Sequence, residues 1–307
     1  MFATLLGALP RPPLDDRASP LALTEAAVRA QEAAGLEPIT DGGVGDAGRP
    51  VVAWARTAGL TSRTVKQAVV GPYTASREPA ADRGARTADR AAQTLALASA
   101  LNAELRDLAA AGCPLIEIHE PAAVWIGGDP AERALFREAH LRLLDGLTGT
   151  HLSLAVTGGN ADTTGIETLL AAPYSSLAVD LIAGPDNWRL VVATPGDRGI
   201  VCGALSPAPG SDDGPEILLW AAAYAASTGG RGPDRVGLAT ASSLAALLWD
   251  AAVAKLGQLG EAVRIAGLPP DQRLQAVDPR AIDARSAALG RLEPRPTAPR
   301  PRPPEQT

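Results

Sequence analysis

Along the chain, short runs of apolar and β-branched residues alternate with longer stretches whose apolar positions recur at helical spacing. Eight runs read as strands: Ala3 to Leu9, Leu36 to Thr40, Lys66 to Val70, Leu115 to His119, Thr150 to Thr157, Ser176 to Ile182, Ile200 to Leu205 and Arg235 to Ala239. Several are apolar at consecutive positions, as strands covered on both faces should be. Between them the pattern predicts helices over Leu23 to Ala34, Asp82 to Ala111, Pro130 to Leu147, Leu218 to Ser227 and Leu244 to Ala266. Gly35 and Gly112 follow two of these helices, where a left-handed cap conformation is wanted. Asp129 before Pro130 supplies both an N-cap and a first-turn proline. The stretch from Gly42 to Leu60 is less defined, being Gly-rich before a short helical segment with Trp54.

Eight strands in strict alternation with helices, without a break in composition, give an α/β fold class and a single (β/α)8 TIM barrel over residues 1–290. A doubly wound open sheet is the competing architecture. It is disfavoured because neither GxGxxG nor GxxxxGK[ST] follows the first strand. Residues 291–307 form a Pro/Arg-rich tail, with six prolines and three arginines among the last sixteen residues, and are expected to be disordered.

Composition narrows the partners. With 28 Lys plus Arg against 34 Asp plus Glu, the net charge is −6, and no basic surface for nucleic acid or anionic lipid is expected. No stretch reaches the ~20 apolar residues of a membrane span, because Asp250 and Lys255 interrupt the best candidate. The apolar opening Met1 to Leu9 lacks a basic leader and runs into Pro10, so it is a poor signal peptide. Cys113 and Cys202 are the only cysteines, too few for a disulfide framework or a thiolate-rich zinc site. The expected location is cytoplasmic.

In such a barrel the chemistry sits at the C-terminal ends of the strands. There the sequence places Asp41, Tyr73, His119, Glu120, Asn160, Asp180, Cys202 and Ser206. His119, Glu120 and Asp180 are the catalytic candidates. An imidazole beside a carboxylate can act as general acid, general base or metal ligand. Alternation along a strand, however, would send His119 and Glu120 to opposite faces, so that one of them meets only a local partner. A lone carboxylate such as Asp180 inside an apolar run needs a partner or a chemical role. Asp41, Tyr73, Asn160, Cys202 and Ser206 are candidate ligand-binding residues, although Cys202 also fits a small buried apolar residue. His140 lies in a charged helix and is expected to be exposed, and His151 opens the fifth run and should lie at the opposite rim.

Several segments together resemble the C-terminal barrel of the cobalamin-independent methionine synthase family, which is similar in fold to uroporphyrinogen decarboxylase. They are Leu6-Gly7-Ala8-Leu9-Pro10-Arg11-Pro12, Gln31 to Leu36 leading to Thr40-Asp41-Gly42, Val70-Gly71-Pro72-Tyr73-Thr74, Ala111 to Ala122, and Val201 to Pro207. The Gly-Cys-x-x-Ile-x-Ile-x-Glu-Pro run from Gly112 to Pro121 is the most specific. The resemblance implies methyl transfer from a folate to a thiolate held on zinc, with ligands given as His-x-Cys on the fifth strand, Glu on the sixth and Cys after the eighth. Here those positions hold Ser153 and Ala155, Asp180, and Ala241 or Ser242. The positions implied for the amino-acid clamp hold Ala8, Gly43 and His119.

The expectation is therefore a divergent member that lacks zinc-dependent methyl transfer, needs no cofactor, and binds a small organic ligand at the C-terminal rim. The alternatives are a metal-free lyase or decarboxylase-like enzyme using Asp41, His119, Glu120 or Asp180, and a non-catalytic partner subunit with a protein partner.

Overall fold

A computed structural model describes residues 1–45, 48–77, 87–211 and 213–277. The expected tail over 291–307 lies outside the described residues. The strands are β1 (Phe2–Thr4), β2 (Lys66–Val70), β3 (Leu115–His119), β4 (His151–Val156), β5 (Ser176–Asp180), β6 (Gly199–Leu205) and β7 (Val236–Thr240). The helices are α1 (Pro20–Ala33), α2 (Pro50–Ala58), α3 (Pro72–Ala75), α4 (Thr87–Ala110), α5 (Pro130–Leu143), α6 (Ile166–Leu169), α7 (Trp188–Ala193), α8 (Pro215–Ser227), α9 (Trp249–Ala266) and α10 (Pro270–Ala276). All seven strands pair in parallel, in the order β1-β7-β6-β5-β4-β3-β2, to form one curled sheet.

Local signals act where the sequence places them. The Ser19 hydroxyl accepts from the Ala22 N–H at the start of α1, and the Asp129 carboxylate accepts from Ala131 and Glu132 at the start of α5. Gly35 and Gly112 take φ of 80° and 89° just beyond α1 and α4, a left-handed conformation that a Cβ would strain. The indistinct region before Leu60 resolves into α2.

One expected strand differs. Leu36 to Thr40 forms no ladder and makes two isolated bridges, Glu37 with Ala3 of β1 and Ile39 with Val65 beside β2. Pro38 has no N–H to donate, so pairing cannot continue through it. The segment still ties the two sheet edges: Glu37 N–H donates to the Ala3 carbonyl at 2.9 Å, Ile39 N–H to the Thr64 carbonyl at 3.0 Å, and the Thr4 hydroxyl to the Pro38 carbonyl at 2.7 Å. The first strand is also shorter than the apolar run Ala3 to Leu9.

Alternation along the strands divides the molecule into two environments. One face presents Val69, Ile116, Ile118, Leu154, Val156, Leu177, Val179, Ile200 and Leu238 to the helices, in one continuous apolar core. Truncating a leucine or isoleucine there to alanine costs roughly 2–5 kcal/mol in comparable cores. The concave face is lined by small residues, with Leu6, Ala155, Ala178, Val201 and Ala239 forming a separate cluster inside the curl. Among the described residues no helix is long and apolar enough to cross a membrane.

Candidate functional site

The inward register of β3 carries Glu117 and His119, paired with Ala68 and Val70 of β2 on one side and with Ser153 and Ala155 of β4 on the other. Lys66 opens β2 on the same concave face. Its Nζ donates to both carboxylate oxygens of Glu117 at 2.8 and 2.9 Å, and His119 Nε2 lies 2.8 Å from Glu117 Oε1. Lys66 and Glu117 are buried, whereas the His119 side chain keeps 15% of its surface exposed. A chain of three ionisable groups thus runs along the lumen and surfaces at its C-terminal end.

Burial alone would raise the Glu117 carboxyl, but the Lys66 ammonium and His119 outweigh it and hold the group low, at about 2. Burial also pulls the Lys66 ammonium below its ordinary value, opposed by Glu117. These two tendencies compete over one proton. The two-oxygen contact from a single ammonium favours the ion pair, and the pair is charged at neutral pH. An ionised Glu117 accepts only, so Nε2 of His119 carries the hydrogen and a neutral ring leaves Nδ1 as its acceptor.

Glu120 faces the other way. Pro121 turns the chain, and the carboxylate enters the helical layer, where Oε1 accepts from Tyr73 N–H at 3.0 Å and Oε2 from Thr74 N–H at 2.7 Å. It therefore caps α3. Gly71 makes room for this: a Cβ there would stand 2.1 Å from Glu120 Oε1. His140 Nε2 reaches the same oxygen at 3.1 Å and its Nδ1 meets the Tyr174 hydroxyl. His140 is buried rather than exposed, because this network and stacking on Phe136 draw it inward.

Asp180 lies in the inward register at the end of β5 but is committed to the backbone. Oδ2 accepts from Gly158 N–H at 3.0 Å, and Oδ1 from Ile182 and Ala183 N–H at 2.9 and 2.8 Å. It pins the loops after β4 and β5. Asn160 exchanges hydrogen bonds with Asp186, and Asp41 accepts from Gly43 N–H. The Ser206 hydroxyl accepts from Ala208 N–H, and its own N–H donates to Asp213. Tyr73 is buried in the helical layer, its hydroxyl donating to Glu132 and accepting from Arg77. Cys202 is buried on the helix-facing side of β6, where burial pushes its thiol up to about 12. His151 lies at the N-terminal rim, as its position at the head of β4 implies.

Of the three catalytic candidates, the fold places His119 and Asp180 on the lumen side and sends Glu120 into the helices. Lys66 and Glu117 belong to this constellation although neither lies at the C-terminal end of its strand. Their signal is present in the pattern: Lys66 heads one strand run and Glu117 interrupts another, and Glu117 sits two residues from His119, hence on the same face.

The positions implied to hold zinc can be tested on donor chemistry. Ser153 and Ala155 line the inner face of β4, Asp180 is held by three N–H groups, and both cysteines are buried thiols with raised pKa, about 11 for Cys113. Among the described residues no three or more His, Cys, Asp or Glu side chains group as metal ligands. This donor set does not fit zinc, which takes imidazole, thiolate and carboxylate at tetrahedral spacing.

Residues 21–144 match the family described as cobalamin-independent synthase, catalytic domain. No curated protein matches the chain. Among solved structures, a B12-independent methionine synthase from Shewanella sp. W3-18-1 in complex with selenomethionine is 15% identical, with 90% of this chain and 99% of that one covered and a TM-score of 0.69. A putative vitamin-B12-independent methionine synthase from Listeria monocytogenes is 14% identical, covering 88% of this chain and 98% of the other, with a TM-score of 0.64. At these identities the structural likeness concerns the fold.

Proposed function

Because the chain resembles the catalytic domain of the cobalamin-independent methionine synthases, we propose that it is a divergent member that binds a small organic ligand at the C-terminal rim of its lumen, around His119, and does not carry out zinc-dependent methyl transfer. Residues 1–290 are read as one (β/α)8 barrel, with residues 37–39 in the place of a strand between β1 and β2. The bridges to both sheet edges support that reading. The observation that carries the functional proposal is the Lys66–Glu117–His119 chain, a buried ion pair that orients the imidazole at the partly open end of the lumen. A ligand there meets a ring whose Nε2 is fixed on Glu117 and whose Nδ1 can accept or, once protonated, donate.

The Glu117–His119 contact also favours a second reading, a metal-free lyase or decarboxylase-like enzyme. Glu117 would fix the tautomer and His119 would move a proton as general acid or base. In either reading Glu120 and Asp180 act as positioning residues, one for α3 and one for the loops after β4 and β5. The donor set at the implied zinc positions supports the absence of thiolate activation by metal. The protein is expected to be cytoplasmic, with a small-molecule ligand and no nucleic-acid or membrane partner.

Elemental analysis of the purified protein, after removal of any affinity tag, tests the metal part. The expected result is less than a tenth of an equivalent of zinc. One zinc per chain, lost in Asp180→Ala, would overturn the reading and reinstate thiol activation.

A further inference from the structure

The concave face is underfilled at its N-terminal end. Barrel interiors are ordinarily packed with layers of bulky branched side chains, but here the inward register of β4, β5, β6 and β7 holds Ser153, Ser176, Gly199 and Gly237. These leave a cavity of about 350 Å³ that opens beside Asp197, Asp234 and Arg235. The cluster of Leu6, Ala155, Ala178, Val201 and Ala239 lies along the lumen between it and the C-terminal rim.

Ser153 lines this cavity, is 2% exposed, and its Oγ has no hydrogen-bond partner. A buried hydroxyl seldom stays unpaired in a native structure. Its neighbours in register are engaged elsewhere. Glu117 is held by Lys66 and His119, and the Ser176 hydroxyl is taken by His151 Nε2 at 2.8 Å. We infer that this chamber is a second ligand site, built for a small uncharged molecule with an apolar body and a hydroxyl or carbonyl head that pairs with Ser153.

The class follows from charge and lining. The Lys66 ammonium is already matched by both oxygens of Glu117, so a further ionic group set against Ser153 at the buried end of the chamber would meet a pair with no charge to spare. Phe2, Pro38, Leu115 and Val201 give the chamber an apolar wall beside the polar Thr4, Ser175 and His151, and the charged Asp197, Asp234 and Arg235 stand at its exposed mouth. The volume stands at the small end of ligand pockets, which run from roughly 300 to 1,000 Å³, and suits a single substituted ring. The chamber shares the Lys66–Glu117 pair with the site at the C-terminal rim but has a different opening and a different ligand-facing group, Ser153.

The test uses the full chain and three ring probes of similar shape: cyclohexanol, cyclohexanecarboxylate and cyclohexylammonium. Ligand-observed NMR titration should show saturable binding of cyclohexanol, with both charged probes at least about tenfold weaker. Ser153→Ala should weaken cyclohexanol by about tenfold, the scale of one hydrogen bond. Ser153→Leu, which removes the hydroxyl and projects a larger apolar side chain into the chamber, should weaken cyclohexanol at least as far as Ser153→Ala while circular dichroism remains that of the parent. Should the leucine variant fail to fold, the alanine variant decides. Absence of saturable binding by any probe would mean a chamber for water only and would overturn the inference. Equal binding of the charged probes, or no change in Ser153→Ala, would do the same.

Discussion

Two carboxylate–imidazole contacts arise within four residues of one strand end, and they serve different purposes. Glu117 and His119 meet at 2.8 Å inside the lumen, and Glu120 and His140 meet at 3.1 Å in the helical layer. The second pair is closed: Glu120 also accepts two backbone N–H groups and His140 also meets Tyr174. The first is closed at its base by Lys66 but leaves the His119 ring partly exposed. The same functional groups, listed side by side, are therefore separated by what else they touch. A carboxylate whose lone pairs are all taken by the fold holds structure, and an imidazole with a free edge at an opening can meet a ligand.

The largest effect should come from opening the base of the first pair. Lys66→Met leaves Glu117 buried without its cation, and a loss of about 3–5 kcal/mol is expected in denaturant unfolding. Adding Glu117→Gln should recover much of it, since the uncompensated charge is then gone. Additivity of the two substitutions would show that they do not act as a pair.

Acid should report the same pair in the unmodified protein. Glu117 titrates at about 2 when folded against an ordinary value of 4.5. A carboxyl lowered by folding contributes stability that is complete above the unfolded value and is lost as pH falls from 4.5 toward 2. Unfolding midpoints measured across that window should decline in the parent and decline less in Lys66→Met/Glu117→Gln. Parallel curves would break the assignment.

Breaking the second pair should weaken the fold by a smaller amount. Glu120→Ala removes the acceptor for two N–H groups and for His140, and roughly 2–4 kcal/mol is expected. Ligand binding measured on the remaining folded protein should be unchanged in affinity. By contrast His119→Ala should alter stability by less than about 1 kcal/mol, as it removes a partly exposed ring from a lumen lined by small side chains. A melting temperature lowered as far as in Glu120→Ala would mark His119 as a structural residue.

Most strands could be read from the sequence because the sheet is covered on one face by helices, so its outward positions carry apolar residues at every second place, as Ile116 and Ile118 do in β3 and Ile200 and Cys202 in β6. Leu36 to Thr40 misled because apolarity was present but Pro38 interrupts the donor pattern that a ladder needs. At the site, position along the strand identified His119 but not its partners. Glu117 stands two residues upstream, and its cation comes from β2, 51 residues earlier in the chain. Glu120 also stands at the end of the β3 run, beside His119, but position alone does not show where its carboxylate goes. Its actual partners are the N–H groups of Tyr73 and Thr74 and the ring of His140, and these come together only when α3 and α5 pack against the sheet.

The most direct test of the central claim is a thermal-shift screen against folates, thiols, amino acids and porphyrin precursors, run in parallel on the parent and on His119→Ala in metal-free buffer. The account predicts at least one compound that raises the parent's melting temperature, with that shift lost in His119→Ala while the unliganded melting temperature stays the same. A compound that stabilises both proteins equally, or only after zinc is added, would contradict it.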